Sequence, residues 1–196
     1  LMRAAGRGHT VTVTALLAAP GLDVNAAENE LGLTALIRAA EEGHTETVTA
    51  LLAAPGIDVN AADREGLTAL MDAAGQGNTG TVTALLTAPG IDVNAADGDG
   101  DTALMLAAEE GHTATVTALL AAPDLDVNAA ENELGLTALM QAAAGGHTET
   151  VTALLAAPGL DVNAADVNDN TALAIAEGYG HVETVSLLHM RVAVDH

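Results

Sequence analysis

A stack of short helical repeats, an all-α solenoid, is the fold this sequence predicts, and three observations predict it. One tripeptide returns at nearly fixed intervals: Gly8-His9-Thr10 reappears as Gly43-His44-Thr45, Gly77-Asn78-Thr79, Gly111-His112-Thr113 and Gly146-His147-Thr148, then fades to Gly180-His181-Val182. The steps are 35, 34, 34, 35 and 34 residues, and a period of this size marks a repeat array. Hydrophobic residues make up 49% of the 196 while aromatics make up 1%, so the core has to be built from Ala, Leu, Val and Ile. Small side chains bury little area each, which favours many similar thin layers over one thick core. Finally, apolar residues inside each period fall at i, i+3 and i+4, the spacing of one helix face.

The unit from Asp63 to Ala96 justifies the elements in order. Thr68 is a candidate N-cap, and Ala69-Leu70-Met71-Asp72-Ala73-Ala74 after it are good helix formers with Leu70, Ala73 and Ala74 on one stripe. Gly75 to Gly77 ends this first helix. Thr79 to Leu86 forms the second, its stripe being Val82, Leu85 and Leu86. Ala88-Pro89-Gly90 stops it, because Pro cannot continue a helix and Gly takes positive φ readily. Ile91 to Ala96 then leads to a polar, hairpin-like tip. Each helix is only about two turns long and unstable alone, so neighbouring repeats must hold it. The paired alanines (Ala39-Ala40, Ala73-Ala74, Ala107-Ala108, Ala142-Ala143) allow the close approach between layers that this requires.

Two units carry one extra residue at the same place, Glu28-Asn29-Glu30-Leu31-Gly32 and Glu131-Asn132-Glu133-Leu134-Gly135, which marks an exposed tip there. The repeats run about 1–27 (partial), 28–62, 63–96, 97–130, 131–165 and 166–196, the whole chain forming a single array. Leu1 aligns with the Leu of Thr-Ala-Leu, so the first repeat lacks its tip and helix start, as expected of a fragment of a larger protein. The last repeat diverges at Ala174, Glu177 and Tyr179, and Arg191 to His196 stand where the Pro-Gly loop would be, as expected of a terminal cap.

The frame Gly-x-Thr-Ala-Leu-x-x-Ala-Ala-x-x-Gly-His-x-x-x-Val-x-x-Leu-Leu, closed by Asp-Val-Asn-Ala-Ala-Asp, resembles the ankyrin repeat over nearly the whole chain. That resemblance implies antiparallel helix pairs, hairpins projecting roughly at right angles, a concave binding surface and a non-enzymatic role in protein interaction. It also implies that the recurring His bonds backbone at the turn between helices. The chain departs from the family in reading Thr-Ala-Leu-Met where Thr-Pro-Leu-His is usual. Its second helices are also rich in Thr (Thr45, Thr47, Thr49; Thr148, Thr150, Thr152), and β-branched residues fit helices less well. Stability below that of an idealised array is therefore expected.

Charge narrows the partners. The net charge is −22, and the five basic residues are all Arg: Arg3, Arg7, Arg38, Arg64 and Arg191. Such a surface repels phosphate backbones and anionic membranes, and stacking aromatics are missing, so nucleic acid is not the expected partner. No apolar run approaches the ~20 residues of a membrane span, and the chain reads as soluble. Without Cys there are no disulfides and no thiolate chemistry. No phosphate loop, nucleophile elbow or metalloprotease motif occurs, Ser186 is the only Ser, and no cofactor is expected.

Two features invite a metal. His9, His44, His112, His147 and His181 share one repeat position, but layers roughly 8–10 Å apart cannot share an ion that needs nitrogens at about 2.0–2.1 Å. Asp97, Asp99 and Asp101 begin like a calcium loop yet lack its later bidentate acid, so they are a weak candidate, and turn chemistry alone accounts for them.

By position in the ankyrin pattern, the residue before Ala-Ala and the two before Gly-His face the concave side. The candidate partner-binding residues are Arg3, Arg7, Arg38, Glu41, Glu42, Asp72, Gln76, Leu106, Glu109, Glu110, Gln141 and Tyr179, which vary while the frame does not. With Arg3, Arg7 and Arg38 giving the first layers positive groups and the middle and later layers acidic or neutral, a basic segment of another protein is the expected partner of a monomeric chain. A structural or spacer array, natural or engineered, without a specific partner is the first alternative. Weak calcium binding at acidic tips is the second.

Overall fold

In the computed structural model, which describes residues 1–28 and 30–192, the chain is helical with no strands among those residues. Asn29 of the first longer tip and residues 193–196 of the expected cap lie outside the described residues. The helices form successive pairs. A first, inner series comprises α1 (Met2–Ala5), α3 (Ala35–Glu41), α5 (Ala69–Gly75), α7 (Ala103–Glu109), α9 (Ala138–Ala144) and α11 (Ala172–Tyr179). The outer series comprises α2 (Thr10–Leu17), α4 (Thr45–Leu52), α6 (Thr79–Leu86), α8 (Thr113–Leu120), α10 (Thr148–Leu155) and α12 (Val182–Val192). Each inner helix packs on the next inner one, each outer helix on the next outer one, and the two of a pair on each other. Contacts between elements therefore run to nearest neighbours, the organisation of a one-dimensional stack.

Local chemistry explains where the helices begin. Thr34, Thr68, Thr102, Thr137 and Thr171 sit in extended conformation before the inner helices, and each Oγ accepts the N–H three residues on, at 3.2–3.4 Å. Thr68, Thr102, Thr137 and Thr171 also form single antiparallel bridges to Ala62, Ala96, Ala130 and Ala165, which close the tips as hairpins. Inside a tip, one carboxylate holds the turn. Asp63 Oδ1 accepts the N–H groups of Glu65 and Leu67 at 2.9 Å, and Asp97 and Asp166 do the same in their own tips. In the longer tip a Glu replaces that Asp: Glu131 reaches the N–H groups of Glu133, Leu134 and Leu136 at 2.6–3.0 Å. One more methylene spans one more residue.

The core confirms the paired alanines: Ala39, Ala40, Ala73, Ala74, Ala107, Ala108, Ala142 and Ala143 are all fully buried. It corrects the sequence stripes in two places. Ile37, Met71, Met105 and Met140, one residue past the recurring Leu, are buried as completely as that Leu. An inner helix is covered by a repeat on either side and an outer helix behind, so it buries more than one stripe. Leu86, read as core, is only half buried at the last turn of its helix.

Threonines join the layers. Thr10 and Thr47, Thr45 and Thr81, Thr79 and Thr115, Thr113 and Thr150, and Thr148 and Thr184 share Oγ–Oγ hydrogen bonds of 2.8–3.0 Å. The later Thr of each pair is buried. A second ladder runs through the loops: Asn94 Nδ2 donates to the Asp124 carbonyl at 2.7 Å while its Oδ1 accepts the Asp126 N–H at 2.8 Å. Asn25, Asn60 and Asn128 bridge to the next repeat in the same way.

Candidate functional site

Depressions lined jointly by tips and inner helices lie along one face of the stack. The first, of about 350 Å³, is lined by Arg3, Arg7, Arg38 and Glu42 together with Met2 and Glu28. The second, of about 400 Å³, lies between the second and third repeats, with Leu31, Leu33 and Leu67 among its walls and Glu41, Asp63, Glu65 and Asp72 around them. Arg38 and Arg64 also line it. The third, of about 280 Å³, lies between the fourth and fifth repeats and brings together Leu134, Leu136, Asp99, Asp101, Glu109, Glu131, Glu133 and Gln141. Of the candidate partner-binding residues, Arg3, Arg7, Arg38, Glu41, Glu42, Asp72, Glu109 and Gln141 line these depressions. Gln76, Glu110 and Tyr179 are exposed outside them, and Leu106 is half buried. Tyr179, 69% exposed, stacks on His181 with ring centroids 6.2 Å apart.

The sequence reading missed the tips as part of this face. Leu31 and Leu134 are 50% and 45% exposed, at the positions created by the extra residue of the two longer tips. The signal was present as an apolar residue inside a loop that is otherwise polar and acidic.

Electrostatics within the grooves follows from burial and crowding. Asp72 is pushed up to about 7, first by desolvation and then by the neighbouring Glu41 and Asp63 carboxylates, with Arg38 acting the other way. Arg38 itself pairs with Glu41 at 3.4 Å along the same helix. Asp101 is raised by burial, against the pull of the Gln141 side chain, whose Nε2 donates to Asp101 Oδ1 at 3.1 Å. The other amide atom, Gln141 Oε1, is buried without a hydrogen-bond partner. Burial alone would raise Glu131, but the backbone N–H groups of Leu136, Glu133, Leu134 and Gly135 outweigh it and hold the carboxyl below its ordinary value.

The recurring His proves to be a bond between repeats. His112 Nε2 donates to the Gly75 carbonyl at 3.1 Å, His147 to Glu109 at 2.8 Å and His181 to Ala144 at 2.8 Å, each in the preceding inner helix. The expected bond to backbone is there, and the carbonyl it reaches belongs to the layer before. Where Asn78 stands in for His, Nδ2 reaches the carbonyls of Ala40 and Glu41 at 3.1 and 2.9 Å. These carbonyls lie at the ends of inner helices, where the helical ladder leaves acceptors open, so these four side chains cap the repeat before their own. The Gly preceding each His has to be Gly: Gly8, before His9, has φ +65, and a Cβ there would lie 2.8 Å from His44 Nδ1.

The Asp97, Asp99 and Asp101 tip does not gather its carboxylates. Asp97 Oδ1 is turned onto its own backbone and Asp101 points to Gln141. Among the described residues no group of three His, Cys, Asp or Glu is placed to hold a metal ion.

A solenoid of helix pairs with a grooved face of tips and inner helices defines a class of protein, the helical repeat array. This chain belongs to the ankyrin-repeat family: the family model described as ankyrin repeats (3 copies) matches residues 1–97, 62–131 and 104–195. No curated protein matches the chain individually. Ankyrin repeats generally mediate protein–protein interaction, and the family is typically non-enzymatic. Among the described residues no helix is long and apolar enough to cross a membrane.

Proposed function

We propose that this chain is a non-enzymatic interaction module that holds a basic segment of another protein along its tip-bounded inner face. The observation that carries this reading is the charge layout. Arg3, Arg7 and Arg38 line the groove nearest the N-terminal end, the second groove sets Arg38 and Arg64 among five acids, and the groove between the fourth and fifth repeats is lined by carboxylates and no cation. An acidic group of the partner belongs over Arg3 and Arg7 in the first groove, and the basic part of the segment over the layers beyond it. Opposed potentials of this kind steer encounter and fix the direction in which a segment lies. The module works as a monomer in this reading, because one copy carries the whole grooved face.

Capture from a complex proteome tests it, comparing the chain with a version carrying Arg38→Ala, Glu41→Ala, Glu42→Ala, Gln76→Ala, Glu109→Ala, Glu110→Ala and Tyr179→Ala. A basic partner held by the first and lost by the second, with both equally folded, is the expected result. The same partner on both would move the site to the tips or the outer helices, and no partner on either would leave a spacer array.

A further inference from the structure

The two leucine-walled grooves invite a sharper statement about what lies along the face. Each combines an apolar wall with acidic groups: Leu31, Leu33 and Leu67 with Glu65 in one, where five acids outnumber two arginines and Arg38 is paired with Glu41, and Leu134 and Leu136 with Glu109 in the other. That combination suits a long basic side chain, whose methylene stem lies on apolar surface while its charged head meets carboxylates. The exposed leucines at the mouths, Leu31 and Leu134, come only from the two longer tips. The other tips place Glu65, Asp99 or Asn168 before the positive-φ turn position that Gly or Asp fills.

Spacing adds a constraint that charge alone does not. One groove lies between the second and third repeats and the other between the fourth and fifth, two layers further on. With layers roughly 8–10 Å apart, the grooves are about 16–20 Å apart, which extended chain at 3.3–3.6 Å per residue spans in about five or six residues. We infer that the two grooves are paired sockets for two basic side chains spaced five or six residues apart on one extended segment of a partner protein. This rests on the reading of the inner face as the binding surface and adds the anchors and their spacing. Both sockets sit in one rigid stack, so occupying one raises the effective concentration of the second anchor at the other.

Fluorescence anisotropy at low ionic strength tests the pairing, using the full chain and fluorescein-labelled Ser/Gly/Ala peptides. One peptide carries two arginines five residues apart, a second carries them adjacent, and a third carries one arginine. The spaced peptide is expected to bind about tenfold tighter than the adjacent one at equal charge. Leu31→Ser with Glu65→Gln, or Leu134→Ser with Glu109→Gln, should each reduce the spaced peptide to the single-arginine affinity. Glu46→Gln with Glu149→Gln removes charge from exposed positions on α4 and α10 and should leave the spacing preference intact. Equal binding of spaced and adjacent peptides overturns the paired sockets while leaving an acidic binding face. Absence of binding by every basic peptide to the folded chain overturns that reading as well, and the sockets with it.

Discussion

Single side chains in this molecule hold layers together more than they shape their own repeat. Asn94 shows it: one exposed amide satisfies a carbonyl and an N–H of the following loop, at 2.7 and 2.8 Å. Asn94→Ala removes both, and at about 0.5–1.5 kcal/mol per hydrogen bond it should cost about 1–3 kcal/mol, read by urea denaturation. An unchanged midpoint would mean that water replaces the amide without loss. Asp72 acts in the opposite sense. The unfolded chain releases this proton near the ordinary 3.8, but the folded chain keeps it to about 7. Between those values the folded state binds more protons, so stability falls as pH rises through the window and is lowest above it. Asp72→Asn should therefore match the parent near pH 4 and exceed it at pH 8. At ~1.4 kcal/mol per pH unit, reduced because the groove is open to water, the gain is on the order of 2 kcal/mol. Chemical denaturation at the two pH values checks it, and a difference independent of pH would sink the assignment.

At the level of the element, the inner helices start with a Thr cap followed by Ala where the family favours Pro. Thr102 is extended (φ −100, ψ 165), the conformation a residue before Pro prefers, and the first N–H of a helix has no partner inside that helix. Ala103→Pro should then stabilise by about 0.5–1 kcal/mol by restricting the unfolded chain, raising the midpoint by about 1–4 °C. A fall would show that the ring meets the packed neighbouring layer. Helices, turns and the repeat itself were legible because periodicity, caps and Pro-Gly stops are local. What sequence could not supply is which neighbour a side chain reaches. Thr47, Thr81, Thr115 and Thr150 look like poor helix formers in the chain and turn out to be buried links to the preceding layer. For His112 and its equivalents the expected chemistry holds, but the bonded carbonyl belongs to the layer before. The candidate face was legible by analogy along the inner helices. Leu31 and Leu134 were not, because an extra tip residue signals tolerance to insertion as readily as it signals a binding wall.

Across the whole molecule the strongest influence is a net charge of −22 with cations gathered near one end. Like charges spread over a stack destabilise the compact state while they attract a basic partner, and salt acts on both. The screening length falls from about 30 Å at 0.01 M to about 10 Å at 0.1 M, that is, from roughly three layers of the stack to one. Raising salt from about 20 to about 500 mM should therefore raise the melting midpoint, since repulsion between distant layers is removed while the buried leucines and alanines are unaffected. The midpoint should still stay below about 90 °C, the usual mark of hyperstability, given the Thr-rich outer helices. Over the same range the affinity for a basic peptide should fall roughly tenfold or more. Opposite slopes of stability and binding against salt, measured on one preparation by melting and by anisotropy, are the signature of a face whose charge is kept for a partner at the expense of the fold. If the midpoint falls with salt, local ion pairs such as Arg38 with Glu41 outweigh the long-range repulsion. If affinity is flat, the leucine walls and not the carboxylates hold the segment.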